Sequence, residues 1–79
     1  ARLRLFASAR EAAGTGSDEF PGGTVGELLD QAGERYGGHF VRLLDTCKVW
    51  CNGEPVDRDH VVADSDEVAV LPPISGGDR

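Results

Sequence analysis

Thr24-Val25-Gly26-Glu27-Leu28-Leu29-Asp30-Gln31-Ala32-Gly33-Glu34-Arg35-Tyr36 is the stretch whose reading decides the fold. Its first four residues spell a capping box. The Thr24 hydroxyl accepts from the Glu27 amide while the Glu27 carboxylate reaches back to the Thr24 amide. Val25, Leu28, Leu29 and Ala32 then recur at helical spacing, with Tyr36 one turn further on. Residues 25–36 are therefore predicted as a helix with one buried face. Gly37-Gly38 stops it, and Phe40, Leu43 and Leu44 fit one further helical turn beyond the stop.

On either side of this helix the apolar period changes to two. Arg2-Leu3-Arg4-Leu5-Phe6 reads as a strand with Leu3 and Leu5 turned inward and Arg2, Arg4 and Phe6 turned the other way. Ala7–Ala13 is alanine-rich and closes at Gly14, a short helical turn. A second strand is expected around Ser17–Phe20, bounded by glycines and Pro21. Downstream, Cys47–Cys51 reads as a strand ending in an Asn52-Gly53 turn. Val56 opens a return segment and Val61-Val62 dips toward the core. Asp64-Ser65-Asp66 is a tight acidic turn before the final strand, Glu67–Leu71, with Val68 and Val70 inward.

One long helix laid across a mixed sheet of four to five strands makes a two-layer α+β domain. If the helix crosses between the two halves, the first and last strands lie side by side and run parallel. That is the β-grasp, or ubiquitin-like, roll. The expected division is a folded body over 1–71 and a flexible tail over 72–79 that carries Gly76-Gly77.

The chain has 79 residues and a net charge of −6. A body of this size buries only about 60% of its extended surface, which leaves little room for both a core and a deep catalytic pocket. An enzyme acting alone is not expected. The acidic balance argues against nucleic acid and suits basic partner surfaces. No apolar run approaches the ~20 residues of a membrane span, and no signal peptide is visible. Cys47 and Cys51, four residues apart on one strand, would sit ~13 Å apart, too far for a disulfide. They read as small packed thiols of a reducing compartment, and the cytoplasm is the expected location. His39 and His60 make no zinc spacing with them and receive no role. Asp64 and Asp66 fall short of the six or more oxygens that calcium takes, so no metal site is expected.

The end of the chain, Leu71-Pro72-Pro73-Ile74-Ser75-Gly76-Gly77-Asp78-Arg79, has a different build. Two prolines stiffen the exit from the last strand, and two glycines leave a bare main chain that another surface can approach closely. At up to ~3.3–3.6 Å per residue, Pro72 to Gly77 reaches roughly 20 Å from the body. A thin peptide meant for a narrow channel on another protein has this construction; a frayed terminus is the plainer alternative.

Three segments together resemble the MoaD/ThiS family of ubiquitin-like sulfur carriers, and most closely its MoaD branch, the small subunit of molybdopterin synthase. They are Leu5-Phe6-Ala7-Ser8-Ala9-Arg10-Glu11-Ala12-Ala13-Gly14, Val49-Trp50-Cys51-Asn52-Gly53, and Asp64 through Gly77. The resemblance implies a carrier rather than a catalyst. An E1-like enzyme, using ATP and magnesium, would adenylate the carboxylate of the last glycine, and a sulfur donor would convert the acyl-adenylate to a thiocarboxylate. The large synthase subunit would then take up the tail and pass the sulfur to a pterin. By position Gly77 is the acceptor, Gly76, Ser75, Pro73 and Pro72 form the arm, and Phe6, Pro55 and Leu71 are the partner contacts on the outer face of the sheet. Alternation independently turns Phe6 and Leu71 outward. No cofactor is expected on this chain itself.

One departure matters. Gly77 is followed by Asp78-Arg79 and so has no free carboxylate. Either a processing peptidase removes the pair, or the pair is foreign to the natural chain, or the protein is a non-reactive ubiquitin-like interaction module. A processed tail also widens the choice of client from molybdopterin to cysteine or a specialised metabolite, through another sulfur-using enzyme. Trp50 is left between two readings. It is an exposed part of the partner patch if Val49 and Cys51 turn inward, or an edge residue under a local loop. Arg10-Glu11 is read as a surface pair or a partner contact.

Overall fold

A computed structural model of the chain describes residues 1–73. The 25–36 helix forms as its pattern requires. It is preceded by β1 (Arg2–Leu5), α1 (Ala7–Ala13), β2 (Ser17–Glu19) and a two-residue strand, β3 (Gly23–Thr24); the helix itself is α2 (Val25–Tyr36). After it come α3 (Gly38–Leu44), β4 (Lys48–Cys51), β5 (Glu54–Pro55), β6 (Val61–Val62) and β7 (Glu67–Leu71). The capping box is complete. Thr24 Oγ1 accepts from the Glu27 amide at 3.1 Å, and Glu27 Oε1 accepts from the Thr24 amide at 2.9 Å.

Five strands make one mixed sheet in the order β2-β1-β7-β4-β5. β1 and β7, from opposite ends of the sequence, pair in parallel with Leu3 beside Val68 and Leu5 beside Val70. The other pairings are antiparallel. The fold is the β-grasp roll. The β4–β5 turn has Asn52 at φ 51° and Gly53 at φ 87°, the two positive values that a twisted two-residue hairpin needs and that Asn-Gly supplies.

The core lies between the inner face of the sheet and the helices. Leu3, Leu5, Cys51, Val68 and Val70 are buried from the sheet side, against Val25, Leu28, Leu29, Ala32 and Phe40 from the helices. Tyr36 closes one end, meeting Phe40 edge-on with ring centroids 5.1 Å apart, a favoured aromatic arrangement.

Two features exceed the sequence reading. β3 pairs with β6 as a second, two-stranded sheet, Gly23 beside Val62 and Thr24 beside Val61. And α3 is a seven-residue helix rather than a single turn. It begins directly after Gly37, whose φ of 103° lets the backbone reverse between two helices without strain.

Candidate functional site

The helices cover only one face of the five-stranded sheet, and strand register fixes what stands on the other. Arg4, Ala69, Trp50 and Pro55 follow one another across β1, β7, β4 and β5. Beside this row, Leu71 pairs with Lys48, and Phe6 follows Leu5 at the same end of the sheet. Phe6 is 40% exposed, Leu71 and Trp50 are half-buried, and Pro55 is exposed. An apolar stripe, Phe6–Leu71–Ala69–Trp50–Pro55, therefore runs over the open face.

The three residues expected to contact a partner thus share one face, with Pro55 set across the sheet from Phe6 by the width of β7 and β4. Trp50 belongs to the same face, because Cys51 is buried and the neighbour on the opposite parity turns out. Ala69 was not singled out in the sequence; its shared parity with Leu71 was the available signal. Pro72 is half-buried and Pro73 exposed just beyond β7. Ser75, Gly76 and Gly77 lie outside the described residues.

Cations border the stripe. The Arg4 guanidinium lies 5.6 Å from the centroid of the Phe6 ring, within cation–π range. It also pairs with Glu67 at 3.3 Å, while Arg2 pairs with Glu19 at 3.2 Å. Lys48 is exposed beside Leu71. Arg2, Arg4 and Arg10 line an open cleft of about 590 Å³ at the β1–β2 edge, with Phe6 and Gly16.

Burial pushes the Cys47 thiol up from its ordinary value, and burial followed by the Asp66 charge pushes up Cys51. Neither thiol is poised as a thiolate nucleophile. Cys47 spends its proton on the Leu43 carbonyl at 3.3 Å. Among the described residues no polar or charged side chain is buried, and no group of three or more His, Cys, Asp or Glu could hold a metal ion. None of the helices is long and apolar enough to cross a membrane, again among the described residues.

The comparisons with known proteins agree with this geometry. The molybdopterin synthase sulfur carrier subunit of Phaeosphaeria nodorum is 31% identical over 84 residues, covering 95% of this chain and 88% of that protein. Among solved structures, SAMP1 of Haloferax volcanii superposes with a TM-score of 0.81 at 31% identity, covering 96% of this chain and 97% of the other. A chain of the Amycolatopsis orientalis BexX/CysO complex gives 0.81 at 28% identity, covering 96% and 98%. Residues 3–77 match the ThiS family. With nearly its whole length matched, the chain belongs to the ThiS family and is a sulfur carrier of the ThiS/MoaD type.

Proposed function

We propose that Gly77 is the sulfur-bearing residue, and that the client is molybdopterin synthase. In this reading a peptidase removes Asp78-Arg79. An E1-like enzyme then joins the freed Gly77 carboxylate to the AMP moiety of ATP, with magnesium, releasing pyrophosphate. Sulfide from a donor attacks the activated carbonyl, AMP departs, and a thiocarboxylate remains at the end of the Pro72–Gly77 arm. A large synthase subunit docks the open sheet face through Phe6, Leu71 and Pro55 and receives the arm. A carboxylate is a poor electrophile until it carries a good leaving group, which is why activation precedes sulfuration. In this reading the activating enzyme and the synthase supply the catalytic side chains.

The observation that carries the reading is the extent of the family match, which runs through Gly77 and stops short of Asp78-Arg79. The molybdopterin client rests on the name of the Phaeosphaeria nodorum relative. The likeness to the BexX/CysO complex favours a second client, an enzyme of cysteine or specialised-metabolite synthesis, reached by the same carrier chemistry. The likeness to SAMP1, a small archaeal modifier protein, favours a protein tag. The reading places the carrier in the cytoplasm.

Intact mass of the protein taken from its native cells tests the proposal. The expected species has lost Asp78-Arg79 and gained the mass difference of sulfur in place of one oxygen. A mass that always retains both residues refutes the carrier reading and leaves an interaction module. Co-purification then separates the clients: a pterin-binding large subunit supports the first, a different sulfur-using enzyme the second.

A further inference from the structure

The chain is acidic overall, at −6, yet the surface around the apolar stripe has the opposite sign. Arg2, Arg4, Arg10 and Lys48 stand on the open sheet face or at its β1–β2 edge, against Glu19 and Glu67. Four cations less two carboxylates leave a local charge of +2. The cleft that gathers three of the arginines has no acidic residue in its lining among the described residues. Glu11 shares an adjoining cleft with Arg10. The carboxylates lie mostly elsewhere: Glu27, Asp30 and Glu34 on α2, Asp45 after α3, and Asp57, Asp59 and Asp64 on the loops around β6.

The arginines are held in place cheaply. Arg2 and Arg4 keep side-chain exposures of 56% and 43% in their pairs with Glu19 and Glu67. Exposed ion pairs of this kind contribute about 0–1 kcal/mol, so either guanidinium can exchange its internal carboxylate for one on a docking surface at little cost. Arg4 lies over Phe6, which places a charge at the margin of the apolar contact, where a docked protein would exclude water and strengthen it. The Arg10 guanidinium passes close above Gly16: a Cβ on Gly16 would stand 3.4 Å from Arg10 Nε. The bare glycine leaves room for the side chain to lie along the cleft floor.

We propose that, when the carrier is loaded, the open sheet face first docks an acidic, apolar-centred surface on the adenylating enzyme, with Arg2, Arg4 and Arg10 receiving that enzyme's carboxylates while the stripe buries against its apolar side chains. This rests on the carrier reading and names the chemistry of its partner, contrary to the basic surface that net charge alone implies. The segregation also orients the encounter. An acidic partner repels the carboxylate-rich helix and loop side and attracts only the face from which the Pro72-Pro73 arm leaves β7. Charge complementarity of this kind acts on association more than on the final contact.

The test uses the chain ending at Gly77 and the adenylating enzyme of its own source organism, with transfer of AMP to the carrier as readout. The expected result is a KM for the carrier that rises at least about tenfold when both Arg4→Glu and Arg10→Glu are made. Arg42→Glu, at an exposed position of α3, changes the charge by two units against the four of the double variant and should move KM less than about twofold. Raising ionic strength from about 0.01 M to about 1 M, which shortens the Debye length from roughly 30 Å to 3 Å, should raise the KM of the unsubstituted chain. Adenylation with a KM that falls or stays level with salt, or one that responds equally to Arg42→Glu, overturns the acidic-partner inference and leaves the carrier reading standing. No AMP transfer to the Gly77-ended chain overturns the carrier reading and the inference together. Circular dichroism of each variant confirms that the fold is kept before its KM is read.

Discussion

Asp18 sits on β2 with three groups turned onto its carboxylate. The Tyr36 hydroxyl donates at 2.6 Å, the Arg35 guanidinium pairs at 3.0 Å, and the Glu19 amide donates at 2.9 Å. Arg35 in turn lies 4.4 Å from the centroid of the Phe20 ring. These contacts tie the edge strand to the end of α2, across 18 residues of chain. The Tyr36 hydroxyl, foremost, holds the Asp18 carboxyl below its ordinary value, against the opposing effect of burial; burial and then Asp18 push the Tyr36 phenol well above its own. A carboxyl lowered by folding stabilises the native state fully above its unfolded pKa, near 3.8, and loses that contribution as pH falls through the folded value. Asp18→Asn should therefore cost roughly 1–2 kcal/mol at pH 7, a drop of about 4–8 °C in Tm per kcal/mol for a domain this small. The gap between variant and parent should shrink as the medium is acidified below about pH 4. Thermal melts across pH read both effects; a gap that stays constant into acid refutes the assignment to the ionised carboxyl. Tyr36 shows the opposite sign: its contribution is intact below the unfolded phenol pKa and fades as pH rises through the folded one.

Between elements, α2 and α3 approach closely at Gly33. A Cβ built there would stand 2.8 Å from Val41 Cγ2. In a solvated helix interior, Gly to Ala gains up to about 1 kcal/mol. Here the added methyl meets a β-branched side chain with few rotamers in a helix, and overpacking costs about 1–3 kcal/mol. Gly33→Ala is expected to destabilise, and Val41→Ala, at a site that is 47% exposed, to recover most of the loss in the double variant. Chemical denaturation of the four proteins in this cycle measures the coupling, and additive effects would refute the contact as its origin. In the sequence Gly33 reads only as a weak point in a helix, because the residue it must make room for comes from a separate element. The same reason hid the β3–β6 sheet: Gly23–Thr24 and Val61–Val62 are two residues each, too short for any period, and each exists only through the other. What the sequence did carry was local. The capping box, the Asn52-Gly53 turn and the alternation of β1 and β7 each depend on neighbours within a few residues. The outer patch was half legible, since parity gave Phe6 and Leu71. The arginine cluster was not, because Arg2, Arg4 and Arg10 meet only after α1 folds back, and the acidic total masks them.

At the scale of the molecule, the arm departs from the central strand of the five-stranded sheet. β7 is bonded to β1 on one side and β4 on the other, and both of its inward side chains, Val68 and Val70, are fully buried. Pro72-Pro73 is therefore rooted in the part of the sheet that can open only when the whole domain does. β3 and β6 contribute one short ladder at the periphery, with Val61 72% exposed. Native-state hydrogen exchange separates these regimes. The amides of Val68, Ala69 and Val70 should exchange through global unfolding, with a denaturant dependence equal to that of the equilibrium transition. Those of the β3–β6 pair should exchange through local opening, with little denaturant dependence. For a domain stable by roughly 5 kcal/mol, the first group should be slower by about 10³ or more. Should the β7 amides exchange as fast as those of β6, the arm would have a loose root. A docking face assembled from β1, β7 and β4 could not then hold its arginines and its apolar stripe in one arrangement for a partner to recognise.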